Sequence, residues 1–271
     1  MVSILNDSTD AYFHLAAEEY LLGSFGQDVF MIWQNDRSVV IGKHQNVWAE
    51  INPAFIQERD IKVVRRFSGG GAVYHDLGNL NFTFIESSRN ADFDKYTSLM
   101  VDLLAEVGVP AEADSRRGLT VQGLKISGSA QCIHRGKCMY HATLLYKTNL
   151  QMLASALQGD LSDSAEWGVE RRAAYVHSVR SPVTNITHYL PSALQLQDFK
   201  NIIISFLLKN KIVEGEYQFS PYDLQAINQL KEEKYATTEW NFQATAPKCS
   251  NYDLYVNCLR ARCIVKKRLI K

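Results

Sequence analysis

Three consecutive glycines, Gly69–Gly71, sit between an arginine pair, Arg65-Arg66, and the short apolar run Ala72-Val73-Tyr74. Glycine enters φ > 0 freely and lets a ligand approach the main chain closely. Successive N–H groups turned one way form an anion-binding nest, and two arginines add charge and fork-shaped donors. The preceding Ile61-Lys62-Val63-Val64 reads as a buried strand feeding this loop. The chemistry implied is recognition of a phosphate ester held against the backbone. The loop is not the usual nucleotide loop, because no Gly-Lys-Ser/Thr follows, and it lacks the Gly-x-Gly-x-x-Gly spacing of dinucleotide sites. Glycines alone would also suit a hairpin turn that binds nothing; the flanking arginines favour a ligand.

The 271 residues suffice for one large domain, or a domain with a small appendage, with an ordinary apolar fraction for its core. Formal net charge is zero, which leaves no footprint for nucleic acid or an anionic membrane. An anion must therefore be captured by a local site. Met1–Asp7 has neither the charged nor the apolar region of a secretory signal, and Ile202–Leu208 is too short to span a bilayer. Five scattered cysteines predict reduced thiols and a cytoplasmic setting.

Apolar spacing predicts helices over His14–Ser24, Ala54–Glu58, Phe93–Val107, Asn149–Leu157, Leu194–Leu208 and Tyr222–Tyr235. Ser220-Pro221 supplies a cap and a first helical position for the last. Strands are predicted over Val29–Trp33, Ser38–Ile41, Lys62–Arg66, Ala72–Tyr74 and Leu80–Ile85. Leu124–Ile133 and Cys138–Tyr146 read as the arms of a hairpin turning at Arg135-Gly136. That register pairs Ile133 with Cys138 and Cys132 with Met139, so the two cysteines point to opposite sheet faces and form no disulfide or metal pair. After Asn241-Phe242 the pattern changes: Gln243–Pro247 reads as a linker and Lys248–Lys271 as a basic tail. Cys249, Cys258 and Cys263 lack zinc-ligand spacing.

The run Arg65–Asn79, Arg-Arg-x-Ser-Gly-Gly-Gly-Ala-Val-x-His-Asp-x-Gly-Asn, resembles the signature of the lipoate–protein ligases. Leu124–Gln131 is similar to that family's Lys-x-Ser-Gly-Ser-Ala segment, and Gly42–Asn46, His141–Leu145 and Val179–Asn185 are weaker matches in the expected order. The resemblance implies a mixed α+β fold, a largely antiparallel sheet flanked by helices, with a biotin/lipoate ligase-like catalytic core. It divides the chain into a catalytic domain over residues 1–243 and a short tail over 244–271 in place of a full accessory domain. It also raises the expectation that an accessory part exists as a separate polypeptide.

The implied activity is ATP-dependent formation of lipoyl-AMP, then transfer of the lipoyl group to a carrier lysine. ATP is a substrate, with Mg²⁺ as its companion. The implied carriers are lipoyl domains of 2-oxoacid dehydrogenase complexes or the H protein of glycine cleavage. Attack of one anion on another needs cationic and N–H partners at the reacting phosphate. Family pattern assigns Arg66, Gly71, Ala72, Val73, Tyr74 and Lys125 to the nucleotide pocket, and Ser68, Gly69 and Gly70 complete the loop. Lys125 is the leading catalytic candidate, since a compact ammonium can bridge acyl carbonyl and phosphate oxygens. Ser127 follows as a small donor. His75, Asp76 and Asn79 are candidates for ordering the loop or supporting the acyl group, and Asp76 for helping to hold Mg²⁺. His141 departs from a His-His pattern because Tyr140 takes the first place. No residue identifies the base for amide formation. The alternative enzyme is a lipoyl or octanoyl transferase using a preformed donor, with Cys132 or Cys138 as nucleophile; the segment before the lysine block, Ala113–Arg117, holds no cysteine.

Overall fold

Val29–Trp33 is apolar without interruption, so it can bury both faces, and a strand of that kind belongs in the middle of a sheet. The computed structural model describes residues 1–159, 176–191 and 194–242. In it β2 (Val29–Trp33) is buried along its whole length. Its parallel neighbour β1 (Val2–Leu5) pairs Val2 with Val29, and its antiparallel neighbour β6 (Asn79–Ser87) pairs Ile85 with Val29. Beyond β6 come β11 (Lys137–Leu145) and β10 (Ser129–His134), both antiparallel; β12 (Gly215–Glu216) closes the other edge beside β1.

Side chains alternate along β2, and each set meets a different core. Phe30 and Ile32 join Phe82, Phe84 and Tyr140 under α4 (Asp94–Glu106) and α6 (Leu196–Lys209). Met31 and Trp33 join Met139 under α1 (Ala11–Gly23) and α7 (Pro221–Leu230). Burying one such aromatic or aliphatic side chain contributes ~1.5–3 kcal/mol, so this two-faced sheet is the main source of stability. Ser220 caps α7 in a reciprocal capping box with Asp223, behind Pro221.

A second sheet carries the glycine loop. Its order is β4 (Lys62–Arg65), β3 (Ser38–Ile41), β5 (Val73–His75), with β4 parallel and β5 antiparallel to β3. The short helices α2 (Val47–Glu50), α3 (Pro53–Glu58) and α5 (Leu150–Ala156) supply Val47, Ile56 and Ala156 to the cluster on Val39, Ile41, Val63 and Tyr74. A small third sheet holds β7 (Glu112–Ala113), β8 (Leu119–Val121) and β9 (Leu124–Ser127). After α7 a π-helical turn, Lys231–Tyr235, leads to α8 (Thr238–Phe242).

The expected hairpin is corrected in one arm. Its register matches expectation, with Ile133 opposite Cys138 and Cys132 opposite Met139. The first arm, however, is not one strand. It breaks at Gly128, and Leu124–Ser127 pairs with β8 in the third sheet instead. Gly128 lets the chain pass from sheet to sheet, its N–H donating to Thr143 Oγ1. The short strands β1, β7, β8 and β12 had no readable periodicity. The expected linker and tail, residues 243–271 with Cys249, Cys258 and Cys263, lie outside the described residues. Among the described residues no helix is long and apolar enough to cross a membrane.

Arg135 and Gly136 both have positive φ, 49° and 77°, which is the geometry of a two-residue turn matched to strand twist. Arg135→Asn is expected to raise stability by a few tenths of a kcal/mol, and Gly136→Ala to lower it by ~1 kcal/mol. Urea midpoints of the two variants check this; equal midpoints would contradict the turn assignment.

Candidate functional site

β4 ends at Arg65 and Arg66 follows it, its N–H still donating to Ile41 O, so the two side chains turn to opposite sides. Arg66 turns into the glycine loop. Its Nε donates to Ser68 Oγ at 3.1 Å and to Gly69 O at 3.0 Å, while Nη2 reaches Gly71 O at 2.7 Å and Nη1 reaches Val40 O at 3.2 Å. The guanidinium thus curls residues 68–71 around itself. Burial lowers it to about 10, so it stays cationic at neutral pH. Arg65 corrects the expectation from sequence: it is fully buried on the far side and donates to Gly42 O and Gln45 O rather than offering its fork to a ligand.

The three glycines are not equivalent. Gly70 has φ +86°, and a Cβ there would lie 2.9 Å from Arg66 Nη2. At Gly71 a Cβ would meet Ser178 Oγ at 3.0 Å, whereas at Gly69 the nearest atom is 4.0 Å away. Gly42 matters as much: its Cβ would sit 2.1 Å from Gly70 O, so only glycine lets the 42–45 loop lie against the 68–71 loop.

Behind the loop runs a buried polar chain. Glu18 Oε1 accepts from Thr83 Oγ1 at 2.6 Å and pairs with His141 Nδ1 at 2.9 Å. His141 Nε2 lies 2.7 Å from Ser68 Oγ, which in turn accepts from Arg66 Nε. Glu18 supplies a negative charge that offsets the buried Arg66. A second chain joins His14 Nδ1, Asn35 and His75 Nδ1 at 2.8 and 3.0 Å. Burial depresses His14 to about 4 and His75 to about 3, so both are neutral.

Two cavities, of about 350 and 520 Å³, open on this framework. They share Ala72, Val73, Lys125, Gly128, Thr143, His177, Ser178 and Val179. The part belonging to the first alone is walled by Leu15, Trp33, Val40, Ala130 and Ala142, by Gly70 and Gly71 of the loop, and by the polar Arg66, His75, Asn81, Arg116, Ser129 and His141. The part belonging to the second alone is walled by Tyr74, Leu145, Leu153 and Leu157, with Glu50, Ser127 and Arg180. Each cavity combines apolar walls with polar groups, and the second is the larger. Lys125 stands at their junction. Its strand is pinned on the open side by Lys125 N to Pro182 O at 2.8 Å and Thr184 N to Lys125 O at 3.0 Å. Partial burial lowers the Lys125 ammonium, with Asp114 opposing that effect. Ser178 ties the same segment to the loop by accepting from Ala72 N at 2.8 Å.

Of the residues expected from sequence, Arg66, Gly70, Gly71, Ala72, Val73, Tyr74, His75, Lys125, Ser127 and His141 line one or both cavities. Ser68 and Gly69 stand behind the wall and hold His141 and Arg66. Asp76 and Asn79 are not brought to the cavities. Asp76 accepts from the amides of Gly78 and Asn149, each at 2.9 Å, and Asn79 donates to Asn81 Oδ1. Sequence reasoning missed Glu18, Trp33, Glu50, Ser178 and Arg180. Arg180 lay within the Val179–Asn185 match without being singled out, and Glu18 carried a signal: it shares the helical stripe of Leu15 and Leu22, where a carboxylate is out of place unless partnered.

The model of the lipoyl protein ligase A/B catalytic domain matches residues 10–207. The lipoate–protein ligase LplJ of Bacillus subtilis is 35% identical over 240 residues, spanning 86% of this chain and 70% of that protein. A crystal structure of lipoate–protein ligase A bound with ATP superposes with a TM-score of 0.74 at 25% identity, covering 90% of this chain and 98% of that one. The bipartite lipoate protein ligase of Thermoplasma acidophilum, solved in a study with its E2 lipoyl domain, gives 0.75 at 26% identity, covering 92% and 98%. The chain belongs to the lipoate–protein ligase family.

Gly42→Ala and Gly70→Ala are expected to weaken binding of a lipoyl-AMP mimic at least tenfold, since each forces backbone or a buried guanidinium to move. Gly69→Ala should stay within about twofold. Calorimetry with a non-hydrolysable lipoyl-AMP mimic checks the contrast; equal affinities would contradict the loop geometry.

The neutral histidines set a pH dependence. The unfolded chain protonates them below ~6.5, whereas the folded chain does so only near their depressed values. Their contribution is full above ~6.5 and falls with pH by up to ~1.4 kcal/mol per unit per group. Tm should therefore drop between about pH 6.5 and 5, and His14→Gln/His75→Gln should remove most of that slope. An unchanged slope in the double variant would contradict it.

Proposed function

We propose that the chain activates lipoate with ATP and transfers the lipoyl group to a carrier lysine, with the acyl chain in the first cavity and the nucleotide in the second. The observation that carries this reading is that the two cavities meet at Lys125. A lipoyl chain is an aliphatic stem with a carboxylate head, which matches a slot walled by Leu15, Val40, Ala130 and Ala142 with a cation at its mouth. Arg180 and Lys125 offer charge to phosphates, and Leu153 and Leu157 offer apolar surface to a base.

In activation, a carboxylate oxygen attacks the α-phosphorus of ATP and the bond to pyrophosphate breaks. Charge builds on the phosphate oxygens, where the Lys125 ammonium and the loop amides stand. In transfer, the carrier amine attacks the mixed-anhydride carbonyl and AMP leaves with the bonding pair. Lys125 then serves the carbonyl and the departing phosphate from one position. The partial burial that lowers its pKa also strengthens these interactions. Arg66 borders the first cavity and keeps the Gly69 and Gly71 carbonyls turned inward, which holds the loop in shape.

The described residues include no cluster of three or more His, Cys, Asp or Glu suited to a metal, and Asp76 is occupied by two amides. Mg²⁺ is therefore read as a companion of the ATP phosphates rather than an ion caged by side chains. The carrier is a lipoyl domain, a reading supported by the E2 lipoyl domain studied with the Thermoplasma ligase. Residues 1–243 are proposed as the catalytic domain. The transferase alternative receives no support: neither Cys132 nor Cys138 lines either cavity, and burial pushes both thiols up, Cys132 to about 12.

Lys125→Ala should lower lipoate-dependent ATP–pyrophosphate exchange and carrier lipoylation from lipoyl-AMP by ~10² or more, with Tm unchanged. Activity within threefold of the parent would sink the assignment. A Cys132→Ser/Cys138→Ser variant should retain ligase activity. A hydroxylamine-labile acyl adduct on the parent, together with an inactive variant, would favour the thioester transferase instead.

A further inference from the structure

Among the described residues, the arginine and lysine side chains that line the first cavity are Arg66, Arg116 and Lys125. They differ in what they have left to offer a ligand. Arg66 is buried, and its Nε, Nη1 and Nη2 all donate within the protein, to Ser68, Gly69, Gly71 and Val40. Lys125 is shared with the second cavity. Arg116 lines the first cavity alone and is exposed. Among the described residues its side chain makes one hydrogen bond, from Nη2 to Ser181 Oγ at 3.2 Å, which leaves the rest of its fork open.

The turn between β7 and β8 presents Arg116 on a fixed backbone. Asp114 Oδ1 accepts from Arg116 N at 2.7 Å and from Gly118 N at 2.8 Å, and Asp114 N donates to Gly118 O at 2.8 Å. A Cβ at residue 118 would lie 2.6 Å from Asp114 Oδ2, so glycine keeps the turn this tight. The neighbouring Arg117 lines neither cavity, and its Nε pairs with Asp94 Oδ1. Ser181, which receives Arg116, belongs to the segment that pins Lys125 through Pro182 O and Thr184 N. Arg116 and Lys125 are near enough to act on one another: burial lowers the Lys125 ammonium, Asp114 opposes the shift and Arg116 adds to it.

Activation brings two anions together, a carboxylate and a triphosphate, and one ammonium between them cannot neutralise both. A guanidinium offers a carboxylate paired, charge-assisted donors. We propose that Arg116 recognises the carboxylate head of the acyl substrate, so that Lys125 is left to face the reacting phosphate. The inference rests on the reading that the first cavity takes the acyl chain. It requires a dependence on charge. Lipoamide carries the same stem and ring as lipoate but no anion, so the contribution of Arg116 should appear with lipoate and vanish with lipoamide.

The test is calorimetry of lipoate and of lipoamide on the full chain at neutral pH, with Arg116→Ala, Arg116→Lys and, as a control, Arg117→Ala. Arg116→Ala is expected to weaken lipoate about tenfold, the effect of one charge-assisted hydrogen bond, and to leave lipoamide within about twofold. Arg116→Lys should recover part of the loss, and Arg117→Ala should bind both compounds as the parent does. In ATP–pyrophosphate exchange Arg116→Ala should raise KM for lipoate and leave KM for ATP in place. Equal weakening of lipoate and lipoamide overturns the inference, because a residue that only shapes the wall acts on both. So does an unchanged affinity for lipoate, or a rise in KM for ATP alone, which would give Arg116 to the phosphates. A parent that binds neither compound removes the acyl assignment of the first cavity and the inference with it.

Discussion

Burying two adjacent guanidinium groups is the constraint around which the site is arranged. Each costs several kcal/mol unless its donors are met, and both are buried here. Because they turn to opposite sides at the end of β4, they recruit different partners. Arg66 draws in the carbonyls of its own loop and leans on Glu18 for countercharge. Arg65 draws in the 42–45 loop and α8. Segments distant in sequence are thereby brought to fixed positions by two consecutive residues. The glycines follow from this: Gly42 and Gly70 exist where loops gathered by arginines must touch without Cβ atoms.

This arrangement separates binding from chemistry. The first cavity lies between the central sheet with α1 and the glycine-loop sheet, while α2, α5 and the 180–183 segment wall the second chamber alone. Lys125 belongs to the third sheet, which contacts both. A single cation at the boundary suits a sequence in which the same carbonyl is first joined to phosphate and later released from it. Proximity of two bound reactants is worth several kcal/mol in such reactions, and geometry at the junction decides how much of it is realised.

Much of this was legible in the chain. Long elements with clear periodicity, such as α4 and α6, and the Ser220-Pro221 start of α7 follow from local rules. The Arg135-Gly136 register followed from turn chemistry. The Arg65–Asn79 and Leu124–Gln131 segments pointed to the family because glycines at close backbone approaches cannot be replaced cheaply. What was not legible depends on contacts across the chain. Leu124–Ile133 reads as one strand, and only its pairing with β8 on one side and β11 on the other splits it. Arg65 looks like a second phosphate ligand until its partners 175 residues away are seen. Ser178 has no local motif, and the helical stripe shows only that Glu18 needs a partner, not which one, because their roles are set by Ala72 and His141.

The mechanism turns on acyl chain and nucleotide occupying separate cavities that meet at Lys125. A crystal structure with a non-hydrolysable lipoyl-AMP mimic decides whether they do. The acyl stem is expected between Leu15 and Val40, the base beside Leu153 and Leu157, and the Lys125 ammonium within hydrogen-bond reach of both the carbonyl and the phosphate surrogate. A ligand lying in one cavity alone, or a carbonyl placed away from Lys125, would contradict it.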